Sequence, residues 1–249
     1  MITYKYIFLI SFSLSLIAAC KSGPHQNASK KQDTISQTKV LKPSIKTSGT
    51  GIRQISDTTE TGLNVKSFIP ADYTIDLQAK GDLNHDNLPD LVLVLLNKKD
   101  TTDLRTTLVL LQKDGAFHLD TKSTSAVEPK YDKDGYHNYG NEDLYIDSAG
   151  VLIFSMNDPG PSGNLESSYR YISNQLILTS ISAYSMGAGS HTAIDIDPVK
   201  GIFRQTLINT MEENVPDKEI IQKIKPAKVR FDQSNPKEIL HKAFAAYSR

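Results

Sequence analysis

The sequence predicts a mainly β domain, an antiparallel sandwich or open barrel-like arrangement with a C-terminal helical segment. Short alternating or continuous apolar runs recur with turn residues between them, and only the last stretch changes to helical spacing. Strands at this spacing close on one another more readily than on layered helices.

In chain order, Tyr73 to Leu77 alternates, Leu91 to Leu96 is continuously apolar, and Thr107 to Leu111 repeats that pattern. Gly150 to Met156, Ser168 to Ile172 and Gln175 to Ser182 follow, with Ser173-Asn174 reading as a hairpin turn. Gly187-Ala188-Gly189-Ser190 reads as a hairpin loop, because it lacks the third glycine and the βαβ setting of a dinucleotide fingerprint. Ile194 to Ile196 and Ile202 to Ile208 add two strands across Asp197 to Gly201. Helical spacing is expected over Lys218 to Ile224 and again over Pro236 to Tyr247. Ser234 or Asn235 caps the second helix, with Pro236 in its first turn. Its stripe of Ile239, Leu240, Ala243, Phe244 and Tyr247 is expected to pack on the sheet.

The composition narrows the function. Of 249 residues, 28 are Lys or Arg and 28 are Asp or Glu, and this balance argues against a nucleic-acid partner, whose phosphates demand clustered cations. A single cysteine excludes a disulfide scaffold and a Cys-rich zinc site.

That cysteine, Cys20, follows a charged start and a short, mostly apolar run from Tyr6 to Ala19 that ends in small residues. The run has signal-peptide anatomy and is short of the roughly 20 apolar residues a membrane span needs. Ile17-Ala18-Ala19-Cys20 resembles the lipobox of bacterial lipoproteins. The resemblance implies cleavage after residue 19, lipidation of Cys20, and a membrane held through the acyl chains, which anchor at about 0.8 kcal/mol per methylene. Lys21 in place of Asp favours the outer membrane of a Gram-negative cell, periplasmic or surface-facing. From Lys21 to Gly62 the chain is rich in Lys, Ser, Thr and Gln, without apolar periodicity, and reads as a tether. Its root-mean-square reach is roughly 35 Å. The expected organisation is therefore signal peptide 1–19, lipidated Cys20 and tether 20–62, β-rich domain 63–212 and helical extension 213–249.

The most specific segment is Gly81-Asp82-Leu83-Asn84-His85-Asp86-Asn87-Leu88-Pro89-Asp90. Three carboxylates and one amide fall on 82, 84, 86 and 90, with the Leu88 carbonyl between the last two. Calcium takes six to eight oxygens at about 2.3 to 2.6 Å, whereas magnesium rarely assembles so many from protein. A complete EF-hand needs a bidentate Glu where this chain has Leu93, so the loop closes with Asp90 and feeds a strand. Gly81 to Leu95 resembles the calcium-binding FG-GAP/VCBS-type repeat. That resemblance implies Asp82, Asn84, Asp86 and Asp90 as side-chain ligands of calcium and Leu88 as a carbonyl ligand. Weaker similarity to bacterial secreted proteins and lipoproteins carrying one such segment extends over residues 68–208. Two departures stand out: Asn87 occupies the sharp-turn position where glycine is usual, and His85 replaces a common glycine and is expected to face solvent.

Asp132-Lys133-Asp134-Gly135 with Asn138 reads as a polar turn, since Gly140 stands where a closing carboxylate would be needed. Asp158 to Gly163 reads as a tight loop and contact tip. No catalytic motif is legible. The expectation is a lipid-anchored cell-envelope binding or structural module stabilised by calcium, meeting an envelope protein or a glycan. The alternative is an envelope hydrolase built from distant residues around His118, His137 or His191.

Overall fold

The structure is a computed structural model, and it describes residues 61–62, 64–158, 163–187, 189–212 and 215–248. The signal segment, Cys20 and the tether up to residue 60 lie outside the described residues.

Two antiparallel sheets form the domain. The first runs β1 (Thr61–Gly62), β5 (Ala116–Ser123), β4 (Thr106–Lys113), β3 (Asp90–Asn97), β2 (Tyr73–Gly81). The second runs β6 (Asn141–Ile146), β7 (Leu152–Asn157), β8 (Asn164–Ile172), β9 (Gln175–Met186), β10 (Ser190–Asp197), β11 (Ile202–Asn209), β12 (Lys218–Lys223). From β2 to β5 and again from β6 to β12 each strand pairs with its predecessor, so both sheets are meanders. The edge strands β2 and β6 lie side by side, and the pair of sheets does not close. Gly81 sits at that seam, where a Cβ would come within 2.7 Å of Ile146 Cγ2.

The continuous apolar run of β3 follows from burial on both faces. Val92 and Val94 join the main core, whereas Leu93 and Leu95 face a second cluster with Phe68, Leu108 and Leu110. A short 3-10 turn, Val65–Phe68, brings Phe68 over that second face. The main core adds Phe154 and Tyr169 from the second sheet, with Phe231 at 5.1 Å from Tyr169, edge to face. The α1 helix (Pro236–Tyr247) starts as expected: Asn235 Oδ1 accepts from Glu238 N at 3.0 Å, and Pro236 occupies the first turn.

Several expectations change. Lys218–Lys223 is strand β12, not helix: its two adjacent isoleucines serve either period, and pairing with β11 decides. Thr61 and Gly62, assigned by composition to the tether, pair with His118 and Phe117. β5 and β6 are additional strands. β5 had a signal in Asp114-Gly115, whose φ values of 53° and 77° make a primed hairpin turn, the same device as Ser173-Asn174 at 52° and 59°. The charged start of β6, Asn141-Glu142-Asp143, hides its alternation.

Candidate functional site

The acidic loop connects β2 to β3, and its backbone is shaped by its own side chains. Asp82 accepts from Asp86 N at 3.2 Å and from Asn87 N at 2.9 Å. Asn84 Oδ1 accepts from Asp86 N at 3.1 Å, and Asp86 Oδ1 from Leu88 N at 2.8 Å. These Asx turns carry the chain through two positive-φ residues, His85 at 63° and Asn87 at 65°. Asp86 and Leu88 are exposed, Asp82 and Asn84 half-buried. Asp90 is fully buried at the start of β3, and its carboxylate accepts from Leu83 N at 2.8 Å and Gln112 N at 3.0 Å, tying the loop to β4. Burial raises the Asp90 carboxyl above its ordinary range; the two N–H groups pull it down, and the Asp86 and Asp82 charges add to the rise.

The donor set suits a hard cation in chemistry, since carboxylate oxygens that accept one N–H keep a second lone pair. Among the described residues no three carboxylate, imidazole or thiol side chains converge closely enough to hold an ion in this conformation. His85 is exposed, as expected, but its ring also lies against the β6–β7 turn. A Cβ at Gly150 would come 2.8 Å from His85 Cε1 and 2.9 Å from the Asp82 carbonyl oxygen, and Gly150 has φ 67°. Only glycine meets both demands.

The larger concavity lies elsewhere, a cleft of about 450 Å³ between α1 and the second sheet. Leu165, Ala183 and Ile194 oppose one another across β8, β9 and β10 and form its apolar floor. One step along the same face, Ser185 and Thr192 oppose each other and add two hydroxyls. The wall is the face of α1 carrying Lys237, Leu240, His241 and Phe244, with spacings of three and four residues. Tyr139 also lines the cleft. Its phenol donates to Glu128 Oε2, and Lys237 Nζ meets Glu128 Oε1 at 2.5 Å. Burial, and then Glu128, hold the Tyr139 phenol well above its ordinary value. Of the expected packing stripe on α1, Ile239, Leu240, Ala243 and Tyr247 do join the core, but Phe244 stays 43% exposed at the cleft rim. Sequence reasoning missed this cleft; the available signal was the Lys237, His241, Phe244 series at one-turn spacing.

A buried ionic network lies beside it. Arg105 is fully buried, donating to Asp76 at 2.9 Å, to both oxygens of Glu142 at 2.7 Å, and to the Glu128 carbonyl at 2.6 Å. Lys130 also pairs with Asp76.

The other expected residues fall as follows. Asp132 Oδ1 accepts from Asp134 N and Tyr136 N at 2.9 Å each, which is a polar turn. The three histidines do not come together as one site: His118 Nδ1 meets Thr61 Oγ1 at 3.2 Å, His137 packs on Tyr131 with ring centroids 4.4 Å apart, and His191 bonds the Tyr184 hydroxyl. Asp158 N donates to Gly163 O at 3.1 Å across the expected contact tip, whose residues 159–162 lie outside the described residues, as does Cys20.

Fold and site together define an open, two-sheet antiparallel β domain with a helix-walled cleft. Compared with known protein families, with curated proteins and with solved structures, the chain finds no match in any of the three.

Proposed function

We propose that this protein is a lipid-anchored binding module of the cell envelope, with calcium stabilising the Asp82–Asp90 loop and the cleft beneath α1 receiving its ligand. The observation that carries the reading is the cleft: an apolar floor bordered by a few convergent polar groups is the ordinary form of a ligand site. Supporting the anchor is Cys20 after its apolar run, and supporting calcium is the oxygen-rich spacing of Asp82, Asn84, Asp86 and Asp90 with the Leu88 carbonyl. When bound, the ion would supply positive charge opposite carboxylates that otherwise face only N–H groups and one another. The rest is done by the chain: Asp90 fixes the loop to β4, and Gly150 lets the neighbouring turn close on it.

The test is a small-fragment screen by saturation-transfer NMR on the mature chain, repeated on Ser185→Phe. Ser185 is exposed, so the larger ring is expected to occupy the cleft without disturbing the core. Hits that bind the wild type and vanish in the variant support the reading. A library with no hit, or hits indifferent to Ser185→Phe, would overturn it.

A further inference from the structure

Taking the cleft beneath α1 as the binding site, we infer that its ligand class is a neutral carbohydrate.

The charge pattern comes first. The lysine in the lining, Lys237, is held by Glu128, whose other oxygen accepts the Tyr139 hydroxyl. That local pairing leaves no fixed charge of either sign unanswered, so a charged ligand would lose its hydration without gaining a counter-ion. The polar capacity that remains is of another kind. Ser185, Thr192 and His241 have no side-chain partner among the described residues. Hydroxyls and an imidazole can each donate and accept, which matches sugar hydroxyls, groups that also do both.

The apolar part fits the same class. Phe244 presents a ring at the rim with 43% of its surface open, above a floor of Leu165, Ala183 and Ile194. A pyranose has one face of C–H groups that can cover an aromatic ring, while its edge carries hydroxyls to the polar end. About 450 Å³ lies within the range of small-ligand clefts and has room for a short saccharide.

Two other occupants fit less well. An extended peptide gains most of its affinity by adding to a free strand edge. The floor here is β8, β9 and β10, interior strands already paired on both sides. An acyl chain would cover the floor but leave Ser185, Thr192 and His241 without partners once water is expelled.

The experiment titrates the mature chain by calorimetry and NMR with maltotriose, cellotriose and triacetylchitotriose, and in parallel with trigalacturonate, octanoate and trialanine. At least one neutral trisaccharide is expected to bind more tightly than the three comparison probes. Phe244→Ala should weaken that binding about tenfold and Phe244→Tyr should retain it, because an exposed ring contributes through its face. Thr192→Val should also weaken it about tenfold by removing one hydrogen bond. Circular dichroism of each variant separates lost binding from lost folding. Tightest binding of octanoate, trialanine or trigalacturonate, abolished by Ser185→Phe, would overturn the carbohydrate assignment and leave the binding cleft standing. No binding of any neutral trisaccharide up to about 10 mM would overturn the carbohydrate assignment, while the cleft as a binding site stands or falls on the fragment screen with Ser185→Phe.

Discussion

His85 and Asn87 both adopt positive φ within one loop, two residues apart, and neither is glycine. Such conformations are uncommon for L-residues, and here Asx hydrogen bonds from Asp82, Asn84 and Asp86 hold the backbone in them. The side chains that would hold calcium therefore also shape the loop through their own hydrogen bonds. The two roles separate experimentally. If calcium binds the folded state only, calcium at ten times Kd adds about 1.4 kcal/mol of stability. Asp86→Ala is expected to lower stability in chelator, through the lost Leu88 N–H acceptor, and also to abolish the calcium increment. His85→Gly should keep the increment; its relief of the positive-φ cost, roughly 1 to 2 kcal/mol, is opposed by about 0.4 to 1 kcal/mol of added unfolded-chain entropy and by lost packing on Gly150, so the net change is expected to stay within about 1 kcal/mol. Thermal melts of the three proteins with calcium and with chelator check both outcomes. No wild-type shift up to several millimolar calcium, the weak end of extracellular sites, would leave an Asx-rich turn and nothing more.

At the scale of elements, the three register shifts share one feature. Each extra residue is polar and uses its side chain at the bulge: Asp76 in β2 bonds Arg105, Asp120 in β5 accepts the Tyr171 hydroxyl, and Thr179 in β9 donates to Ser168 O at 3.1 Å. A bulge turns a residue out of strict alternation, which lets a strand with an apolar face deliver a carboxylate sideways. Asp76 thereby reaches Arg105 from β2, and Glu142, in regular pairing, reaches it from β6, the two edge strands that meet at the seam. No ladder hydrogen bonds join those strands, so the guanidinium bridges them. Removing one partner of a buried ion pair costs about 3 to 5 kcal/mol, because the other charge stays buried. Glu142→Gln is expected to lose about that much in denaturant titration, while replacing exposed Lys99, paired with exposed Asp72, should change stability by less than about 1 kcal/mol. Equal effects of the two would show that Arg105 is not holding the seam.

For the whole molecule, tyrosine burial links the sheets to pH. Burial pushes Tyr169 up to about 12, and Tyr171 and Tyr139 rise further, from burial and then from Asp120 and Glu128. Tyr171 crosses from the second sheet to Asp120 in the first, so its protonated form is part of the packing. The folded state keeps these protons when the unfolded chain would release them. The stabilisation is thus fully present below about pH 10 and is lost as pH rises toward the folded values. Each such group contributes a slope of about 1.4 kcal/mol per pH unit above pH 10, so three give up to about 4. Alkaline titration followed by phenolate absorbance should show the exposed tyrosines ionising smoothly, then a cooperative step at unfolding. Smooth ionisation of Tyr139, Tyr169 and Tyr171 together with the exposed tyrosines, without that step, would contradict the buried placements.

Most strands, the helix start at Asn235-Pro236 and the turns at Ser173-Asn174 and Asp82–Asp90 were determined by the sequence alone. Period, capping and turn chemistry act between residues a few positions apart, so they are legible without a fold. β12 shows the limit: Lys218 to Lys223 satisfies either period, and only its pairing with β11 chooses. Arg105 shows a second limit, since its partners stand 23 to 37 residues away and nothing local distinguishes a buried arginine from an exposed one. The cleft is the third. Its floor comes from three strands and its wall from a helix that follows some forty residues later, and α1 buries Ala243 while leaving Phe244 at the rim. Which apolar residue of a stripe meets the core and which meets a ligand depends on where the helix crosses the sheet, a choice that long-range packing makes and local sequence does not encode.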